Sequence, residues 1–445
     1  MSRSMQNQPP DGSAGRPVYI IDGARTPFLK VRGKPGPFSP VDLAVQCGRP
    51  LLLRQDFPVQ AFDQVILGCV NVLANEMNPA RIAALRLGMG EAMRAFTVQI
   101  NCGSGMQSID TAFRLIREGS RELVLAGGTE ALSHAPLQVK ADAVEWFANM
   151  RSADSLKERA QQLGELRADY FKPELALKSG LTDPVVGLSM GETAEVLAHL
   201  FAVTRQEADQ YAVISHKRLA RARQEGLLDD EIEPIISPEG EIFDHDDCVR
   251  ADSSVEALAR LEPVFERPFG QVTAGNSSQV TDGASWVILA SAAAVEKYGL
   301  TPRARVIDSE WSALDPAIMG LAPILSMSRL LQRHDLDLAK VGLWELNEAF
   351  AAQVLACLKA WEDEEFCTGP LGLEQPMGRL DRALLNIDGG AISLGHPVGA
   401  SGNRIVLHLV NAMRRLDAGR GIASECIGGG QAGAMLLASV EERAS

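Results

Sequence analysis

Asn101-Cys102-Gly103-Ser104-Gly105-Met106 puts a cysteine where a strand runs into a helix. Upstream, Ala95 to Ile100 is apolar and β-branched enough to read as a buried strand, and downstream Met106, Ile109, Phe113 and Ile116 recur at helical spacing. A thiol in that turn faces unpaired backbone N–H groups and the positive end of the helix dipole. Both favour the thiolate, which is the nucleophilic form. Gly103 and Gly105 leave room for a substrate against the backbone. The alternative is a buried, inert cysteine, and this stretch alone leaves it open.

Three further stretches hold reactive side chains. Asn386 to Pro397 reads as a strand end followed by a glycine-rich loop that carries His396, and Gly399-Ala400-Ser401-Gly402 then opens a helix. A lone histidine is more often structural, but glycines crowd the backbone here, and imidazole can accept a thiol proton near neutral pH. Cys426 ends a strand ahead of Gly428-Gly429-Gly430, where exposed N–H groups could bind an oxyanion, or the cysteine could belong to the core. Asn347 and Glu348 lie between a strand and a helix, where Asn is a natural cap. Thr273 to Gln279 is a small-residue loop with side-chain donors, able to hold a polar ligand or merely to turn. There is no P-loop and no G-x-G-x-x-G between a strand and a helix.

The elements that must position these residues alternate at α/β spacing. Strands are expected at Val18–Ile21, Glu122–Ala126, Ala284–Ala290, Arg303–Ser309, Gly342–Leu346 and Gly421–Cys426. Helices are expected at Val41–Leu53, Pro79–Leu87, Gly191–His199, Arg205–Gln224, Ala349–Ala360 and Ser401–Arg415. The strand that runs into Gly428-Gly429-Gly430 echoes the strand that runs into Gly127-Gly128, which suggests two similar halves.

Between Ser133 and Pro268 the rhythm breaks. Leu137 to Asp183 mixes Lys140, Arg151, Lys157, Arg159, Arg167 and Lys172 with Trp146, Phe147, Met150, Tyr170 and Phe171, and reads as an inserted helical segment; Pro234 to Pro268 is acidic and turn-rich.

The totals bound the function. The chain has 445 residues, 46% of them apolar and 22% charged, so it can bury a large core. A net charge of -14 argues against nucleic acid as a main partner, though not against a small anion held by a local basic patch. Seven cysteines without Cys-x-x-Cys spacing, and seven histidines without ligand spacing, predict no metal site and a reducing, cytoplasmic compartment. Residues 1–16 read as a loose tail with no secretory signal, and no apolar run approaches the roughly 20 residues of a membrane span.

Taken together, Asn101 to Gly105, Gly127 to Glu130, Met190 to Glu195, Thr273 to Ser278 with Asp282-Gly283, Asn347 to Phe350, Gly389 to Gly402 and Cys426 to Gly430 resemble the thiolase family, in family order, across about Val18 to Leu437. The resemblance implies an α/β thiolase fold: two similar halves in five layers, αβαβα, with an inserted loop domain. The expected units are 17–132 with 270–300 for the first half, 133–269 for the CoA-binding insertion, and 301–445 for the second half. It implies acyl transfer between a 3-ketoacyl-CoA and CoA, by a ping-pong route through an acyl-cysteine.

In that resemblance Cys102 is the nucleophile, His396 its base and Cys426 the second acid/base. One oxyanion site is formed by His396 and a water held by Asn347, the other by the N–H groups of Cys102 and Gly428. Ser189, Met190, Phe265, Ala274, Ser278, Ala349 and Phe350 are the implied substrate and CoA contacts. No cofactor is implied, since coenzyme A is a substrate. The implied assembly is a homodimer or a dimer of dimers, and a fatty-acid oxidation partner subunit is a further expectation.

The sequence departs from the family pattern in places. Ser189 stands where many acetoacetyl-CoA thiolases have His, and Gln279 replaces a common glycine. The long Leu137–Asp183 segment resembles the β subunit of fatty-acid oxidation complexes, which often has His in place of Asn347. That segment could pack on its own domain, lengthen an acyl tunnel or dock a partner; the tunnel wall is the expectation, and with it substrates longer than acetoacetyl-CoA. The rival readings are another acyl-cysteine condensing enzyme of the fold, against which Cys426 argues, and a non-catalytic lipid-binding or scaffold protein, against which the four reactive residues together argue.

Overall fold

The computed structural model describes residues 15–440. The tail expectation therefore falls almost entirely outside the described residues. The first half runs β1 (Val18–Arg25), α1 (Pro40–Leu53), β2 (Gln64–Gly68), α2 (Pro79–Arg86), β3 (Arg94–Val98), α3 (Ser104–Arg117) and β4 (Leu123–Ala131). The insertion carries α4 (Ala141–Ser152), α5 (Leu156–Gly164) and α6 (Ala176–Gly180), then α7 (Met190–Leu200) and α8 (Arg205–Gln224). β5 (Thr281–Ser291) returns to the first sheet. The second half runs β6 (Ala304–Ala313), α9 (Ala322–Arg333), β7 (Leu343–Leu346), α10 (Ala351–Glu362), α11 (Val398–Leu416), β8 (Arg420–Ile427) and β9 (Gln431–Ala438).

These strands lie in the order β7-β8-β9-β6-β1-β5-β4-β2-β3, with a short strand at Leu29–Lys30 beside β5. The order is a duplication read outward from the middle. β1, β5, β4 and β2 correspond to β6, β9, β8 and β7, with the same antiparallel, antiparallel and parallel pairings. β3 pairs parallel with β2, and its counterpart has shrunk to one parallel bridge between Leu385 and Trp344. The halves join where Val18, Tyr19 and Ile20 pair with Val306, Arg305 and Ala304.

The layers follow from which faces are apolar. α1 and α2 cover one face of the first half through Val41, Leu51, Ala80 and Ala83 against Val65, Leu67 and Trp286. α3 and α11 form the central layer, with Met106, Ile109, Phe113 and Ile116 meeting Ile405, Leu409 and Met413. α9 and α10 cover the far face of the second half, joined by α7 and α8. Capping boxes at Ser39, Ser189 and Thr204 start α1, α7 and α8.

Two expectations are corrected. The strand before Cys102 is not buried: β3 is the sheet's edge strand and is exposed or half-buried throughout, because among the described residues of the single chain no strand pairs with its outer side. The stretch at Asn386 is not a strand end; Asn386 has a left-handed φ of 48°, and only Leu385 bridges the sheet. The apolar residues of the insertion do not all pack onto its own domain. Trp146 is buried, but Phe147, Leu156, Leu163 and Phe171 are exposed.

Candidate active site

Cys102 sits in a tight turn before α3. Asn101 takes a left-handed φ of 46°, which an Asn tolerates better than most residues. Ser104 fastens the turn: its hydroxyl donates to Asn101 O at 2.7 Å and accepts from Ile100 N–H at 2.9 Å. The Asn101 side-chain amide donates to Gly428 O at 3.0 Å, which ties the cysteine turn to the glycine turn after β8. A Cβ on Gly103 would lie 2.4 Å from Ile427 Cδ1, so the Ile427 side chain packs into the space this glycine leaves between the two turns.

The thiol is not held as a thiolate. Burial, reinforced by Glu425, pushes the Cys102 thiol up to about 12, although hydrogen bonds from the N–H groups of Gly428 and Cys102 itself pull it down. This corrects the expectation from the helix dipole: the end of α3 is present, but desolvation outweighs it. The residue as a whole keeps part of its surface open to solvent. Cys426, at the end of β8, is buried beside Met319 and Ala349, with Met190 and Phe350 packed against them. Its thiol is pushed well above its usual range by burial first and then by Cys102, Cys357 and Glu425. Both cysteines are therefore thiols at rest and need a base.

His396 has the form of that base. Its Nδ1 lies 2.6 Å from Ser401 Oγ, and the Ser401 hydroxyl donates to Pro397 O at 3.2 Å. The hydroxyl proton being spent there, Oγ accepts from Nδ1–H, which leaves the lone pair on Nε2. Nε2 is buried without a partner. Burial, with the Arg404 charge, lowers the imidazole to about 4, so it is neutral at pH 7. Its backbone N–H donates to Gln279 O at 2.9 Å, which fixes His396 against the small-residue loop.

Asn347 is completely buried, and neither its amide nitrogen nor its oxygen has a partner. It caps no helix; α10 begins after Phe350. That removes the structural reading of Asn347, since an idle buried amide is costly unless a ligand or water completes it. Its neighbour Glu348 is structural, accepting from Tyr211, Ser215, Asn386 and the Ile392 N–H.

The implied substrate contacts gather in two groups. Met190, Ala349 and Phe350 pack with Cys426, and Met190 Sδ would lie 3.3 Å from a Cβ on Gly428. Ser278 N–H donates to Ala349 O at 3.0 Å, and Ala274 O accepts from the Gln279 side chain at 2.9 Å. Phe265 lies over Gly191, where a Cβ would be 1.9 Å from its ring. Ser189 spends its hydroxyl as the N-cap of α7, accepting from Glu192 N–H at 3.3 Å.

Residue pattern alone does not single out Ser401, Arg404 or Glu425. Arg404 and Glu425 are buried, and Arg404 donates to Glu345 at 3.2 Å. A charged residue inside the apolar run of β8 is the available signal. Among the described residues no group of three or more His, Cys, Asp or Glu is placed to hold a metal ion.

Comparison with known proteins finds relatives along almost the whole chain. A family model described as "Thiolase, N-terminal domain" matches residues 18–293, and "Thiolase, C-terminal domain" matches residues 300–439. The beta-ketoadipyl-CoA thiolase of Pseudomonas aeruginosa is 38% identical over 432 residues, covering 96% of this chain and 100% of that protein. The mitochondrial trifunctional enzyme subunit beta of Bos taurus is 34% identical, covering 95% of this chain and 88% of its own length. A crystal structure of human mitochondrial 3-ketoacyl-CoA thiolase in complex with CoA superposes with a TM-score of 0.82 at 36% identity, covering 96% of this chain and 98% of that one.

Proposed function

The chain belongs to the thiolase family, and on that premise we propose how its residues carry the reaction. The protein is an acyltransferase that cleaves a 3-ketoacyl-CoA with CoA, or runs the reverse condensation. His396 Nε2 takes the Cys102 proton as sulfur attacks the 3-keto carbon. The C2–C3 bond breaks, leaving an acyl-Cys102 and the enolate of acetyl-CoA, and Cys426 protonates that enolate at C2. The Cys426 thiolate takes the proton of an incoming CoA thiol, whose sulfur attacks the acyl-cysteine; the shortened acyl-CoA leaves and the Cys102 sulfur takes its proton back from His396. The N–H groups of Cys102 and Gly428 are assigned to one developing oxyanion, and His396 with a water on Asn347 to the other.

The observation that carries this reading is the idle lone pair of His396 and the idle amide of Asn347 in a site that also holds two protonated cysteines. Mixing the protein with acetyl-CoA should leave an acetyl group on Cys102, read by peptide mass spectrometry. Finding it on another cysteine alone, or nowhere, overturns the assignment.

Met190, Phe265, Ala274, Ser278, Ala349 and Phe350 are proposed to line the CoA path, and Ser189 to shape its start. Coenzyme A enters and leaves as substrate, so the reaction as written needs no resident cofactor. A homodimer is proposed on the free edge of β3, next to the cysteine turn. A partner subunit in fatty-acid oxidation is proposed as well; the likeness to the bovine protein, itself named as a subunit, supports it. All seven cysteines are unpaired, which supports a reducing compartment, and no helix among the described residues is long and apolar enough to cross a membrane.

A further inference from the structure

The carboxyl of Glu425 takes no part in the steps above, yet it stands against the site. It precedes Cys426 on β8, so strand alternation turns the two side chains to opposite faces. Cys426 faces Met319 and Ala349. Glu425 faces the central layer: a Cβ on Gly402 of α11 would lie 2.0 Å from Glu425 Oε1 and 2.6 Å from Met106 N, in the first turn of α3. The missing side chain of Gly402 is thus the space in which this carboxyl meets the helix end that Cys102 precedes.

Glu425 is 0% exposed, and neither carboxyl oxygen has a partner. Such a group is held neutral by the cost of burying an uncompensated charge. The ionisable groups on the elements around it are as follows. Arg404 of α11 donates to Glu345 of β7, and its Nε has no partner. Cys102 lies ahead of α3, and Cys426 follows on β8 itself. Glu130 of β4 acts on Cys102 from a greater remove, and His396, before α11, shares the Arg404 charge. Arg404 bonds Glu345 and not Glu425; its charge pulls the Glu425 carboxyl down from a distance, but burial outweighs it.

We propose that Glu425 is a positioning residue for Cys102: a buried acid that stays neutral while the thiol works as a nucleophile and that opposes the thiolate once it ionises. A negative charge at the start of α3 cancels what the helix end offers a thiolate. The consequence is an alkaline limit on the reactivity of Cys102, set where the buried carboxyl and the thiol compete to ionise. The inference rests on Cys102 being the nucleophile proposed above.

The test is the rate of Cys102 alkylation by iodoacetamide against pH, in the full-length protein, read at the Cys102 peptide by mass spectrometry. The sulfur–carbon bond forms, iodide leaves and the thiol proton goes to buffer. Wild type should rise with pH less steeply than a one-proton titration. Glu425→Gln should run with wild type at pH 8, where the carboxyl is neutral, and then follow a one-proton curve that rises about tenfold above it by pH 11, while Glu425→Asp keeps the wild-type shape. Coincident wild-type and Glu425→Gln curves overturn the proposal, and so does an equal rise in Glu425→Asp, which would signal loosened packing. If Glu425→Gln does not fold, a one-proton slope in wild type overturns it alone. Acetylation by acetyl-CoA is measured in parallel: its absence with the coupling intact counts against the nucleophile, not against Glu425.

Discussion

Cys426→Ser should separate the two halves of the reaction. Serine keeps the volume but is a far weaker acid, so acetylation of Cys102 should persist while thiolysis turnover falls by roughly two or more orders of magnitude; near-normal turnover would make Cys426 structural. Ser401→Ala tests the histidine differently. It removes the acceptor for Nδ1–H, so the proton can move to Nε2 and the ring can turn. We expect kcat/KM to fall by roughly tenfold or more, with Ser401→Thr restoring part of it, whereas a purely structural Ser401 would change stability alone. Cys102, His396 and Cys426 are legible in the sequence because each interrupts a glycine-rich turn. The acidity of Cys102 is not legible, because the chain shows the helix that follows it but not the burial or the carboxyl of Glu425, more than three hundred residues away in sequence. Ser401 is hidden for a similar reason: its use is a hydrogen bond, not a residue pattern.

At the scale of elements, the site depends on how closely α3 and α11 approach β4. A Cβ on Gly128 of β4 would lie 2.1 Å from Gly399 O, and one on Gly105 of α3 would lie 2.9 Å from the same oxygen. Backbone faces backbone at both places, so a methyl group can be admitted only by moving the start of α11. Gly128→Ala should therefore cost about 1–3 kcal/mol of stability and displace the turn that carries His396. Gly164→Ala, at the end of α5 with nothing within 4 Å, should stay within about 0.5 kcal/mol. Equal denaturant midpoints for the two variants would remove the packing argument. Helices with one apolar stripe, such as α3 and α8, are legible in the sequence, and α8 can be read to its ends because Thr204 opens it with a capping box. β2 and β9 are not legible. Their short, almost wholly buried runs have no alternation, so only their pairing partners identify them as strands. β3 is legible as a strand but not as an edge, which is a property of the sheet and not of its residues.

At the scale of the whole molecule, the duplication left a single echo in the sequence, the glycine-rich turns of β4 and after β8, while the matching pairings of the two halves appear only in the sheet. The halves and the insertion are tied together by buried charge. Arg25 of β1 donates to Glu231 at 2.7 Å and to Asp246 at 2.7 and 2.9 Å. His408 of α11 meets Glu231 through Nδ1 at 2.9 Å, and its Nε2 lies 3.3 Å from Asp388, which also faces Arg221 and Arg415. Burial alone would lower the His408 imidazole, but Glu231 and Asp388 raise it to about 10. Burial likewise opposes the charge on Asp388, yet His408 and Arg415 hold that carboxyl at about 2. An unfolded histidine titrates near 6.5. The folded protein thus holds this proton more tightly, so the stability it contributes is complete below about pH 6.5 and is lost as pH rises through about 10. Glu345 and Glu130, raised to about 7 by burial, act in the same direction at lower pH, so the wild-type slope is not due to His408 alone. His408→Gln isolates its share. The variant should lose about 3 kcal/mol at pH 7, as when one partner of a buried ion pair is removed, and the gap from wild type should close as pH approaches 10. Urea midpoints at pH 6, 7, 8, 9 and 10 measure that gap, and a difference that stays constant across the series would show that His408 is not charged in the folded protein.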